Sequence, residues 1–119
     1  MGDRGNIVVK DKDDQVVLYT HWDGRELPEI LKKALNRGRE RWGDAQYLAR
    51  IIFCEMLSSP DELNETTGYG ITAKVWDNER PIITVCVDQQ NISIERGEPY
   101  SFQEFIDIGP DKFEEFVLS

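Results

Sequence analysis

The stretch Gln15-Val16-Val17-Leu18-Tyr19-Thr20-His21-Trp22 is rich in β-branched and aromatic side chains, the composition of a strand rather than a helix. Alternation sends Val16, Leu18, Thr20 and Trp22 to one face and Val17, Tyr19 and His21 to the other. Apolar residues on both faces predict a strand in the interior of a sheet. The β-rich run Asn6 to Lys10 precedes it, separated only by Asp11-Lys12-Asp13-Asp14. Two such runs around a short polar loop predict an antiparallel hairpin, so the chain opens ββ.

Asp23-Gly24 then marks a turn. Leu27, Ile30, Leu31, Ala34 and Leu35 recur at helical spacing, with Pro28 in the first turn and Gly38 past the end. Asp44 is placed to cap a second helix, in which Tyr47 to Leu57 is apolar on nearly every side and which is therefore expected to be the most buried element. Ser58 to Gly70 reads as a long loop. Ile71 to Trp76, Pro81 to Val87 and Asn91 to Glu95 read as a three-stranded antiparallel meander. Ser101 with Glu104 fits a capping box, and Gly109-Pro110 restarts a short helix carrying Phe113, Phe116 and Val117. The order ββααβββα predicts an α+β fold. Its expected form is an antiparallel sheet of about five strands, with two main helices on one face and short C-terminal helices.

The 119 residues suit one domain spanning 1–119. The longest apolar stretch, Tyr47 to Leu57, is broken by Arg50 and Glu55 and is shorter than the roughly 20 residues that cross a bilayer. With no apolar leader in Met1-Gly2-Asp3-Arg4-Gly5, a cytoplasmic location is expected. Cys54 and Cys86 lie in apolar runs and are expected to be buried, reduced thiols.

Charge is unevenly placed. The net charge is −9; residues 1–50 carry ten Lys/Arg against nine Asp/Glu, whereas residues 51–119 carry four against fourteen. Such an excess repels a polyanion, so nucleic acid is an unsuitable partner. A local basic patch survives in Lys32, Lys33, Arg37, Arg39 and Arg41.

Candidate chemistry concentrates in Tyr19 to Arg25, at a strand end. His21 is the sole histidine, which excludes a metal site built on two imidazoles. Aromatic surface from Tyr19, Trp22 and Tyr69, cations from Arg25, Arg39 and Arg41, and the close backbone approach allowed by Gly70 together suit a small anionic, nucleotide-like ligand. No phosphate-loop pattern is present, which favours binding over turnover. The expected ligand-binding set is therefore Tyr19, His21, Trp22, Arg25, Arg39, Arg41, Tyr69 and Gly70, with no catalytic residue, metal or cofactor. Two other readings compete. Glu95, Glu98, Glu104, Asp107, Asp111, Glu114 and Glu115, with Asp61, Glu62 and Glu65, could form an acidic, nucleic-acid-like surface that docks on a basic host protein. Alternatively, His21 oriented by Asp23 could serve a small hydrolase-like enzyme. Sheet edges and an aromatic surplus in a small chain predict a homo-oligomer.

Tyr19-Thr20-His21-Trp22-Asp23-Gly24, Leu27-Pro28, Tyr47-Leu48-Ala49-Arg50-Ile51-Ile52 and Thr67-Gly68-Tyr69-Gly70-Ile71 resemble small uncharacterised proteins of bacteriophages, prophages and bacteria that share a Tyr-x-His-Trp-Asp-Gly stretch. The resemblance runs from Tyr19 to about Ile94. It implies a counter-defence factor that binds a host protein or sequesters a host signalling nucleotide, commonly as a homo-oligomer, and it carries no functional residue over.

Overall fold

A computed structural model describes residues 2–58, 68–95 and 97–109. The expected hairpin forms from β1 (Gly5–Asp11) and β2 (Asp14–Thr20), with Ile7 opposite Leu18 and Val8 opposite Val17. Two helices follow, α1 (Leu27–Arg37) and α2 (Ala45–Met56). Then come β3 (Tyr69–Thr72), β4 (Ile83–Cys86), β5 (Asn91–Ile94), β6 (Tyr100–Ser101) and α3 (Phe102–Ile106). The fold is α+β, but the sheet has six strands and is mixed, in the order β3-β2-β1-β4-β5-β6.

The expected meander is corrected by this order. β3 joins the outer side of β2, whereas β4 joins β1 in parallel, so β3 and β4 lie on opposite flanks of the hairpin. Parallel placement needs a crossover, and residues 73–82 supply it by passing over the sheet face opposite the helices. The path is fixed by hydrogen bonds: the Gln15 amide donates to the Ala73 carbonyl, and the Asn6 amide donates to the Asp77 carbonyl at 2.6 Å. Beneath this strap Val8 and Val17 are buried, although neither belongs to the helix-side core. The hairpin is thus apolar on both faces because both faces are covered.

On the other face Ile7, Val9, Leu18, Ile83, Val85 and Ile92 pack against Leu27, Leu31, Leu35, Leu48, Ile52 and Phe105. Local signals set the helix ends as expected. Asp44 accepts from the Tyr47 amide, and Ser101 and Glu104 satisfy each other's backbone N–H groups in a capping box. α2 departs from expectation by burying only Leu48, Ile52 and Met56, one stripe of a helix that lies on the surface. Cys54 is consequently exposed, and Cys86 is half-buried on the strap side of β4. The expected helix at Phe113 to Val117 lies outside the described residues. Among the described residues no helix is long and apolar enough to cross a membrane.

Candidate functional site

The cluster Tyr19 to Arg25 leaves the sheet at Thr20, whose hydroxyl accepts the Asp23 amide at 3.0 Å and turns the chain toward α1. His21 lies beyond the strand. Its backbone N–H donates to the Gly68 carbonyl, and its Nδ1 shares a hydrogen bond with the Tyr19 hydroxyl at 2.9 Å. Its ring meets Trp22 edge-on, with centroids 4.4 Å apart. The carboxylate of Asp23 is buried and accepts from the Tyr69 hydroxyl at 2.8 Å. His21 and Asp23 therefore face different partners, and the base-and-orienter pair of the hydrolase reading is not assembled.

Residues 2–4 are laced across this turn. Asp3 donates its amide to the His21 carbonyl and accepts the Gly24 amide on its own carbonyl. Its carboxylate accepts from the Arg25 amide and from Arg80 Nε, the latter at 2.6 Å. A Cβ on Gly24 would sit 2.6 Å from the Asp3 carbonyl oxygen, so close approach requires glycine there. Burial pushes the Asp3 carboxyl up, but the Arg80 and Arg25 hydrogen bonds and charges outweigh it and hold the group below its ordinary value.

The strap divides the surface next to this turn into two concavities. On the β2–β3 side, a hollow of about 220 Å³ is lined by Tyr19, Gly70, Ile71, Thr72, Trp76 and Asp77. The Trp76 indole donates to the Thr72 hydroxyl, carries Lys74 Nζ over its ring at 4.2 Å, and is still 72% exposed. Burial, followed by the charge of Asp77, raises the Tyr19 hydroxyl above its ordinary pKa. On the β4–β5 side lies a cavity of about 600 Å³, with Glu79, Pro81, Ile94, Glu95, Glu98 and Tyr100 in its lining, within the range of small-ligand and side-chain pockets. Glu79 lies under Arg4, whose backbone and side-chain N–H groups both reach it at 3.0 Å and hold its carboxyl below the usual value. Glu95 turns the chain in a left-handed conformation and accepts the Ile82 amide. Glu98 makes no ion pair among the described residues.

Asn6, 1% exposed, centres this arrangement by donating to the Asp77 carbonyl and the Asn78 side chain.

Of the expected ligand set, Tyr19, His21, Trp22, Tyr69 and Gly70 gather at the strap end of the sheet. Arg25 joins them through its backbone. Arg39 and Arg41 do not. Gly43, two residues on from Arg41, faces Gln90 in the β4–β5 turn, and that turn bonds to Lys10 near the far end of β1. The length of β1, roughly 20 Å at the usual rise per residue, separates these arginines from Trp22. The composite cationic hollow expected from Trp22 with Arg41 is thus not formed. The arginines instead find aromatic partners of their own: Arg39 stacks on Trp42 and donates to Gln103, and Arg41 stacks on Tyr47.

Trp76, Thr72 and Asp77 are site residues the sequence reading does not select, because it places Trp76 within a strand. Among the expected acidic residues, Glu95 and Glu98 line the cavity and Glu104 and Asp107 lie on or just after α3. Asp61, Glu62, Glu65, Asp111, Glu114 and Glu115 lie outside the described residues. No cluster of three metal-ligating side chains occurs among the described residues. No family model, curated protein or solved structure matches this chain.

Proposed function

We propose that the chain is a non-enzymatic binding protein that docks on a basic protein surface, seating a lysine or arginine side chain in the cavity beside the strap. The observation that carries this reading is the lining of that cavity. Glu79, Glu95 and Glu98 share the lining with Arg80. Arg80 is paired with Asp3 and Glu79 with Arg4, which leaves Glu95 and Glu98 outside any ion pair among the described residues, so an incoming cation is favoured over an anion. The net charge of −9 steers basic partners toward the molecule. Trp76, exposed on the other flank of the strap, is the kind of aromatic anchor that dominates protein interfaces. In the counter-defence setting implied by the Tyr-x-His-Trp-Asp-Gly resemblance, the partner is a basic host protein.

Isothermal titration with an octa-arginine peptide at low salt tests this reading. Glu98→Lys and Trp76→Ala are each expected to weaken binding several-fold. Asp13→Lys, the same charge change made in the β1–β2 turn, should weaken it far less. Equal effects of Glu98→Lys and Asp13→Lys would reduce the binding to bulk charge and reject the site.

A second reading, self-association, is supported by the edge strand β3. It is uncharged and has no outer neighbour among the described residues, and Ile71 within it is 60% exposed.

A further inference from the structure

The arginines that stand apart from the strap define a second locus, at the junction of α1 and α2. Three of the seven described arginines pair with a carboxylate: Arg4 with Glu79, Arg37 with Glu55 and Arg80 with Asp3. Arg25, Arg39, Arg41 and Arg50 do not, and of these Arg41 and Arg50 share one aromatic partner. Both are exposed, and both approach one ring, that of Tyr47, at 4.6 and 5.9 Å from its centre. The nearest acidic groups in sequence are Glu40, exposed in the preceding turn, Asp44, whose carboxylate accepts the Tyr47 amide, and Glu55, which is paired with Arg37.

A guanidinium on an aromatic face is positioned through that face, and its in-plane N–H donors stay available to an oxygen anion. Stacking also removes part of the side-chain freedom that an exposed arginine would otherwise lose on binding. Because both guanidinium carbons are measured to one ring, they are at most roughly 10 Å apart, a gap that a diphosphate accepting in bidentate fashion from each can span. The overall negative charge works against long polyanions, so size as well as charge selects the ligand.

We infer that Arg41, Tyr47 and Arg50 form a site for a small diphosphate-bearing anion, separate from the cavity at the strap. NMR titration of the intact chain with inorganic pyrophosphate, in parallel with a nucleoside diphosphate, tests the inference. The Nε–Hε signals of Arg41 and Arg50 should shift together and saturate in the millimolar range or below, and 0.5 M NaCl should abolish the effect. The double substitution Arg41→Gln/Arg50→Gln should weaken binding at least tenfold, with the amide spectrum elsewhere unchanged, while Arg25→Gln should bind as the parent does. Tighter binding of the nucleoside diphosphate, with added shifts on Tyr47 or Trp42, would identify a nucleotide as the source. Equal binding would identify the phosphate groups alone. No saturable shift at 10 mM, or equal shifts at Arg25, would overturn the site.

Discussion

Replacing Asn6 with alanine tests the strap most sharply. The Asn6 side chain is buried and donates twice, to the Asp77 carbonyl at 2.6 Å and to the Asn78 side-chain oxygen at 3.1 Å. A net hydrogen bond contributes about 1 kcal/mol, and a buried partner left unsatisfied costs about 1–3 kcal/mol. Asn78, whose side-chain oxygen is one of the abandoned groups, is an exposed residue, so water can replace one of the two bonds, and the expected loss is about 2 kcal/mol. For a domain of this size that corresponds to a fall in Tm of roughly 6–10 °C. Urea unfolding followed by circular dichroism measures it directly. Asn6→Asp should cost more than Asn6→Ala at neutral pH, because a carboxylate then faces two oxygens. The excess should shrink in acid as the protonated group regains a donor. A loss below about 0.5 kcal/mol for Asn6→Ala, within the range of neutral surface changes, would refute the claim that this amide pins the strap to the sheet.

Other consequences follow from the same contacts. Asp3 has a lowered pKa, so its contribution to stability is complete above the ordinary carboxyl value of 3.8 and is lost as the pH falls through the folded value; Asp3→Asn should lower Tm at pH 7 and flatten its acid decline in a melting series from pH 7 to 2. Ser101→Ala removes the capping box of α3 and should cost about 1 kcal/mol in urea unfolding. Cys54 should react with a soluble disulfide reagent within minutes. Cys86, whose thiol is raised in pKa by burial and by its hydrogen bond to Asp88, should lag well behind. If β3 mediates self-association, light scattering after size exclusion should show a dimer that Ile71→Lys dissociates.

Features written in neighbouring residues are legible in the sequence: the β1–β2 hairpin, the Asp44 cap, the Ser101–Glu104 capping box and the ends of α1 all depend on contacts a few residues long. The parallel placement of β4 is not, because Asp77-Asn78-Glu79-Arg80 has the composition of a hairpin turn and only distant Asn6 and Gln15 make it a crossover. The same distance effect explains the misplaced arginines. Arg39 and Arg41 sit within a turn or two of Trp42 and Tyr47 and stack locally, whereas meeting Trp22 would have required the two ends of the sheet to converge. Cys54 shows a further limit: an apolar sequence on all sides of α2 does not bury all sides when only one is covered.

Amide hydrogen exchange of the chain with and without octa-arginine peptide tests the docking site most directly. Added protection is expected in residues 77–82 and 97–101, which flank the cavity, with α1 and α2 unchanged. Protection confined to the helices, or spread evenly over the acidic surface, would contradict a docking site at the strap.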